Sequence, residues 1–240
     1  ILGQKHLPDD RPVARKREKA PAMTAAERKR VAVLLLVIAL TIPAEIAYPM
    51  VWSIGILWVD QYVNLATSLG EVPSSWFASM DSIGAILAAP ALIAFWAWQA
   101  KRGSEPTSVT KVGIGTTIIA FAALLFAYGN LGLSEPDSVG AGWAIAGWLI
   151  MGLAWMYYWP TTLAIVSRAA PAGMGSFLMG VAFLSPFVGH VLAGWVGSYF
   201  DQMSPSVFWA MDAAIALVGG TLILLLRKRL QAALDPDLSA

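Results

Sequence analysis

Lysine and arginine disappear from three long stretches of this sequence, and no other feature restricts its possible folds so strongly. All sixteen basic residues sit in five places: nine within residues 1–30, then Lys101 with Arg102, Lys111, Arg168, and Arg227 to Arg229. The intervals 31–100, 112–167 and 169–226 contain none, and they run to 70, 56 and 58 residues. Each is strongly apolar. A helix that crosses a bilayer needs roughly 20 apolar residues, so each interval holds two helices and one loop. We place helices near 31–58, 79–99, 110–129, 142–166, 174–198 and 206–226. The loops, around 59–77, 130–141 and 199–205, carry Asp60, Glu71, Glu135, Asp137 and Asp201 but no basic residue. Positive charge is retained on the cytoplasmic side of membrane proteins. Both termini are therefore expected in the cytoplasm, and the protein in the cell membrane. The expected fold class is all-α, a polytopic membrane bundle of six helices over residues 31–226. Residues 1–30 read as a cytoplasmic linker and helix start, and 227–240 as a cytoplasmic tail.

Composition closes the other classes. Only 13% of residues are charged and 58% are apolar, with a mean hydropathy of +0.64. A soluble chain of this length needs about twice that charge, and disordered chains are poor in apolar residues. A net charge of +1 offers no basic excess for nucleic acid. Without cysteine there are no thiolate metal sites or thiol nucleophiles. Two histidines, His6 and His190, make a His-rich metal site untenable. No cofactor is expected. Because the chain starts at Ile1 with a polar, basic stretch, we read it as part of something longer. Thr24-Ala25-Ala26-Glu27 has the T-x-x-E pattern of a capping box, so the first helix should begin before the apolar run at Val31.

Polar and helix-breaking residues at membrane depth carry the functional signal. Glu45 falls near the middle of the first helix, between Pro43 and Pro49. A charged carboxylate there costs about 2.5–3.5 kcal/mol on insertion scales. It should face a watery cavity or a partner, or stay protonated. Tyr48 and Trp52 follow at i+3 and i+7 on the same face. Asp81 lies just inside the second helix and reads either as a helix cap or as a cavity carboxylate. His190 reads as a buried hydrogen-bonding group or as a proton relay, and Asp212 as reaching the outer interface. The run Trp155-Met156-Tyr157-Tyr158-Trp159-Pro160 is mid-helix, where aromatic belts do not belong. It reads as a cavity wall or as packing about a proline. Pro43, Pro49, Pro90, Pro160 and Pro186 each remove a backbone hydrogen bond and allow a kink. Gly180, Gly189, Gly194 and Gly197 would allow close helix contact.

Several stretches sharpen this. Glu71-Val72-Pro73-Ser74-Ser75-Trp76-Phe77-Ala78-Ser79-Met80-Asp81 resembles the E-[IV]-P-x-x-W-F-x-S-x-N stretch of proton-dependent oligopeptide transporters. Trp58-Val59-Asp60 is similar to the W-A-D end of that family's helix seven. Lys101-Arg102, Pro106-Thr107 and Lys111 resemble its eight–nine loop. Pro160, Ala164, Ala170 and Pro171 fit the end of helix ten, and Met179 to Ser185 resembles its M-G-V-W-F-L-S in helix eleven. The resemblance covers about residues 27–200. It implies the C-terminal half, helices seven to twelve, of a major-facilitator transporter whose two six-helix halves are related by pseudo-symmetry. It further implies an N-terminal six-helix half as partner, protons and di- or tripeptides as cargo, alternating access and no cofactor.

The sequence also departs from the pattern. Pro49-Met50 stands where the family has a Glu-Gln pair, Trp155 where helix ten carries the Glu for the peptide amino group, Ala182 for a Trp, and Asp81 for an Asn. The resemblance thus points to Glu45 as replacement for the helix-seven proton carrier, and to Asp81 as facing a cationic substrate group. The candidate substrate or proton residues are Glu45, Tyr48, Trp52, Asp81, Trp155, Tyr158, Trp159, Ser185 and His190. Three other readings compete: a major-facilitator transporter of a non-peptide solute, a self-standing six-helix channel or scaffold, and an intramembrane enzyme. The enzyme lacks a G-x-S-x-G or any Ser–His constellation.

Overall fold

The structure is a computed structural model that describes residues 23–68, 70–132 and 138–234. The linker over 1–22, the acids Glu135 and Asp137, and the end with Asp235 and Asp237 lie outside the described residues. Six spans are long and apolar enough to cross a membrane: Ala25–Tyr62, Ser74–Lys101, Ser108–Gly129, Ala141–Ala169, Gly175–Gln202 and Pro205–Leu234.

The first span begins as the T-x-x-E pattern indicates. The backbone N–H of Glu27 donates to the Thr24 hydroxyl at 3.2 Å, and that of Thr24 donates to the Glu27 carboxylate at 2.8 Å. The span is not the single helix expected over 31–58. It is divided into α1 (Ala25–Leu40), α2 (Ile42–Ala47), a 3-10 turn (Tyr48–Trp52) and α3 (Ile54–Tyr62). Pro43 and Pro49 account for the breaks. Each lacks the N–H that would bond four residues back, and its ring crowds that carbonyl. Pro43 takes the first turn of α2, where the missing donor costs nothing. At the first break Thr41 donates its hydroxyl to the Ile38 carbonyl at 2.7 Å. Ser53 does the same for the Pro49 carbonyl at 3.2 Å.

The other spans are α4 (Met80–Lys101, entered through a 3-10 turn at Ser74–Ser79), α5 (Ser108–Gly129), α6 (Ala141–Ala169), α7 (Gly175–Gly197) and α8 (Pro205–Leu234). Pro90, Pro160 and Pro186 lie inside continuous helices. The last span outruns its expected end at 226, because Arg227 to Leu234 is built largely of strong helix formers. Two small strand pairs tie the loops. Val63–Asn64 runs parallel to Val139–Gly140, and Ala66–Thr67 runs antiparallel to Gly70–Glu71.

Helix α5 is central, packed chiefly on α6 and α8, while α4 lies on α6 and α7 lies on α2. Glycines set these crossings by letting backbones approach. A Cβ on Gly220 would come within 2.6 Å of the Thr117 hydroxyl, and one on Gly152 would strike the Asp81 carbonyl. At the end where α3 and α5 finish, Trp58, Phe126, Trp148 and Trp209 form a buried aromatic core, with ring centroids 4.9–6.3 Å apart. Trp58 donates its indole N–H to Asn130 at 3.1 Å. At the opposite end gather the ten basic residues among those described. The guanidinium of Arg168, at the end of α6, donates to Ser108 at the start of α5 at 2.8 Å.

Candidate functional site

Glu45 is carried on the six-residue helix between the two breaks of the first span. It is 5% exposed and accepts a hydrogen bond from the Tyr158 hydroxyl of α6. Behind this pair the hydroxyls of Thr41 and Ser185 are 2.9 Å apart, both buried. Helix α7 reaches this depth because Gly189 has no side chain: a Cβ there would collide with the Glu45 Cβ and lie 2.7 Å from its backbone carbonyl. The carboxyl is thus seated between α6 and α7 with one hydroxyl donor. Partnering is what a buried carboxyl at membrane depth requires.

In front of it lies a cavity of about 640 Å³. Glu45, Tyr48, Trp52, Trp155, Tyr158, Trp159 and His190 all line it. Seven of the nine sequence-derived candidates therefore face one space. Ser185 does not; it sits beneath the wall with Thr41. Trp155, Tyr158 and Trp159 point into the cavity, while Tyr157 turns away and meets the edge of Trp96 at 5.2 Å. One face of α6 is a cavity wall and another is packing, so both readings of the aromatic run hold on different sides.

Asp81 does not cap α4. It is 4% exposed, and its carboxylate accepts hydroxyl hydrogen bonds from Tyr48 at 2.8 Å and Ser82 at 3.2 Å. It lines a second cavity of about 420 Å³. Tyr48, Trp52 and Trp155 line both spaces and form the wall between them.

Other expectations need correction. His190 is exposed on the cavity side rather than buried, with Nδ1 2.6 Å from the Pro186 carbonyl. Asp212 does not reach an interface; it is fully buried, as are Phe208 and Trp209 one turn earlier on α8. Gly180 and Gly194 meet nothing within 4 Å, whereas Gly189 and Gly197 make the close contacts. Sequence reasoning missed Thr41, whose signal was a hydroxyl in an apolar run two residues before a proline. It also missed Phe183 as cavity lining, for which the sequence carried no signal. Among the described residues no group of three or more His, Asp or Glu side chains could hold a metal ion.

Comparison with known proteins follows this geometry. The model of the POT family (PTR2) matches residues 11–211. The peptide transporter YePEPT of Yersinia enterocolitica is 30% identical over 178 residues, which is 71% of this chain and 34% of that protein. The di-/tripeptide transporter of Lactococcus lactis subsp. cremoris is 18% identical over 158 residues, 66% of this chain and 31% of that protein. Among solved structures, that of a peptide transporter POT in complex with sulfate superposes with a TM-score of 0.80. It is 20% identical and covers 89% of this chain and 43% of that one. A POT family transporter in complex with 5-aminolevulinic acid gives a TM-score of 0.78 at 17% identity, covering 88% and 44%. The chain spans about a third of the length of these curated relatives.

Proposed function

The chain belongs to the POT family, and from that premise we propose that it forms one half of a proton-coupled transporter of di- and tripeptides. It is a multi-pass membrane protein with six spans, of a family of transporters rather than enzymes. Its partner in this reading is an N-terminal six-helix half of the same transporter, in keeping with the third of its relatives that it spans. The whole works by alternating access in the cell membrane, with both termini of this half in the cytoplasm. The absence of Lys and Arg from one set of loops supports that orientation.

One observation carries the proton-coupling part: a buried carboxyl, Glu45, lies on the wall of the cavity and is held, among the described residues, by one hydroxyl donor, Tyr158. When Glu45 is charged, the Tyr158 hydroxyl stabilises it. When it is protonated, the cost of a charge at membrane depth is removed. A proton taken from one side and released to the other thus changes the energetics of the state that carries it. Thr41 and Ser185 hold the segment in place, and the aromatic wall of Tyr48, Trp52, Trp155 and Trp159 receives the solute.

The test uses the full-length transporter in liposomes and a labelled dipeptide. E45Q should lower uptake driven by a proton gradient more than tenfold while leaving counterflow, which needs no net proton movement. Unchanged gradient-driven uptake in E45Q would overturn the assignment of Glu45. Absence of any dipeptide movement in the parent protein would overturn the peptide reading itself.

A further inference from the structure

The second cavity suits a particular chemistry. Its lining contains one ionisable acid, Asp81, together with Ser82, Tyr48, Trp52, Trp155 and small or aliphatic residues of α4 and α6. Asp81 is 96% buried, and its two hydroxyl donors, Tyr48 and Ser82, approach different oxygens. Each carboxylate oxygen can accept more than one hydrogen bond, so the group retains acceptor capacity towards the cavity it lines. No Lys or Arg occurs between residues 31 and 100 or between 112 and 167. The segments that build the cavity therefore supply no counter-charge of their own. A negative group in a poorly screened space attracts a cation strongly, and two tryptophans and a tyrosine add faces that attract organic cations. A metal ion is a poor match, since hard cations need several oxygen ligands and the described residues hold no cluster of acids and histidines. The volume of about 420 Å³ lies in the range of small-ligand sites.

We propose that this cavity is a side pocket selecting an organic cation, a primary ammonium or guanidinium group on the side chain of the transported solute. The inference rests on the transport reading above for its setting, since Tyr48, Trp52 and Trp155 line both the pocket and the cavity that holds Glu45. The solute backbone then occupies the larger cavity and its cationic side chain passes the aromatic wall to reach Asp81. The preferred cargo carries a lysine- or arginine-type residue.

The experiment measures competition against labelled dialanine uptake by the full-length transporter, with Ala-Lys, Ala-Arg and the neutral, similarly long Ala-Met as inhibitors. The parent protein should favour the two cationic peptides over Ala-Met by about tenfold or more. D81N should bring that ratio to within twofold, whatever happens to total uptake. Because D81N removes a buried group, W52L serves as a second variant at a half-exposed position, and it should lower the ratio about threefold. In parallel, the thermal shift of the purified transporter with n-pentylammonium reads the pocket without transport. A shift in the parent that is lost in D81N supports the proposal even where dialanine is not carried. No preference for cationic peptides in the parent, no pentylammonium shift, or an undiminished ratio in D81N would each overturn it.

Discussion

Replacing Gly189 by alanine tests how the carboxyl of Glu45 is seated. The added Cβ would lie against the Glu45 Cβ and 2.7 Å from its carbonyl carbon and oxygen, where ordinary contact begins at 3.4 Å. Helix α7 must then retreat from α2 by at least about 0.7 Å, since packed interiors have no slack to absorb the methyl group. One turn away on α7, Ser185 holds Thr41 at 2.9 Å. The same retreat takes that pair past hydrogen-bond reach, near 3.5 Å. Overpacking costs about 1–3 kcal/mol and loss of the buried hydroxyl bond about 0.5–1.5 kcal/mol. The expected loss is about 2–4 kcal/mol, read as a fall in thermal midpoint on the order of 5–10 °C. Gradient-driven uptake should fall with it, because Glu45 is displaced from Tyr158. The control is G180A on the same helix, where a Cβ meets nothing within 4 Å. It should stay within about 0.5 kcal/mol of the parent. If G189A melts and transports like G180A, the seating of Glu45 against α7 is refuted.

Two more perturbations follow from the packing. Both carboxylate oxygens of Asp212 lack a partner among the described residues, and the side chain is fully buried. D212L should therefore raise the thermal midpoint, by about 1–3 kcal/mol in stability, and D212N should not; a lower midpoint for D212L would contradict this. W58A removes the ring shared by Phe126, Trp148 and Trp209 and the bond to Asn130. It should cost about 3–5 kcal/mol in thermal unfolding, with W58F losing visibly less.

The six spans were legible because charge is too costly in a bilayer to be scattered, so its gaps trace the helices. Glu45 was legible for the same reason, as an acid in an apolar run. Its pairing was not: Tyr158 stood among the candidates, but it lies 113 residues away, and no local pattern joins it to Glu45. Small residues announced close contacts without saying which. Gly180 and Gly189 look alike in sequence, yet only the second faces α2, because helix rotation is decided by the whole bundle. Asp212 misled for a related reason. Depth along a helix can be counted from the sequence, but whether a carboxyl is buried there depends on how α8 packs against its neighbours. The two prolines of the first span announced a break. That the break would leave six residues as a separate piece, with Thr41 and Ser53 bonding carbonyls at its two ends, was not written in the local pattern.

That six-residue piece has a mechanical consequence. Helix α7 touches α6 only sparsely and is attached to the rest of the chain mainly through α2. The acid therefore sits at a pivot, while its hydroxyl donor belongs to the body that α5 and α6 build. The segment that carries Glu45 also packs on α8, so it bridges α7 and the body that holds Tyr158. In the transport reading proposed above, such a linkage would tie the tilt of one helix to the occupancy of one proton.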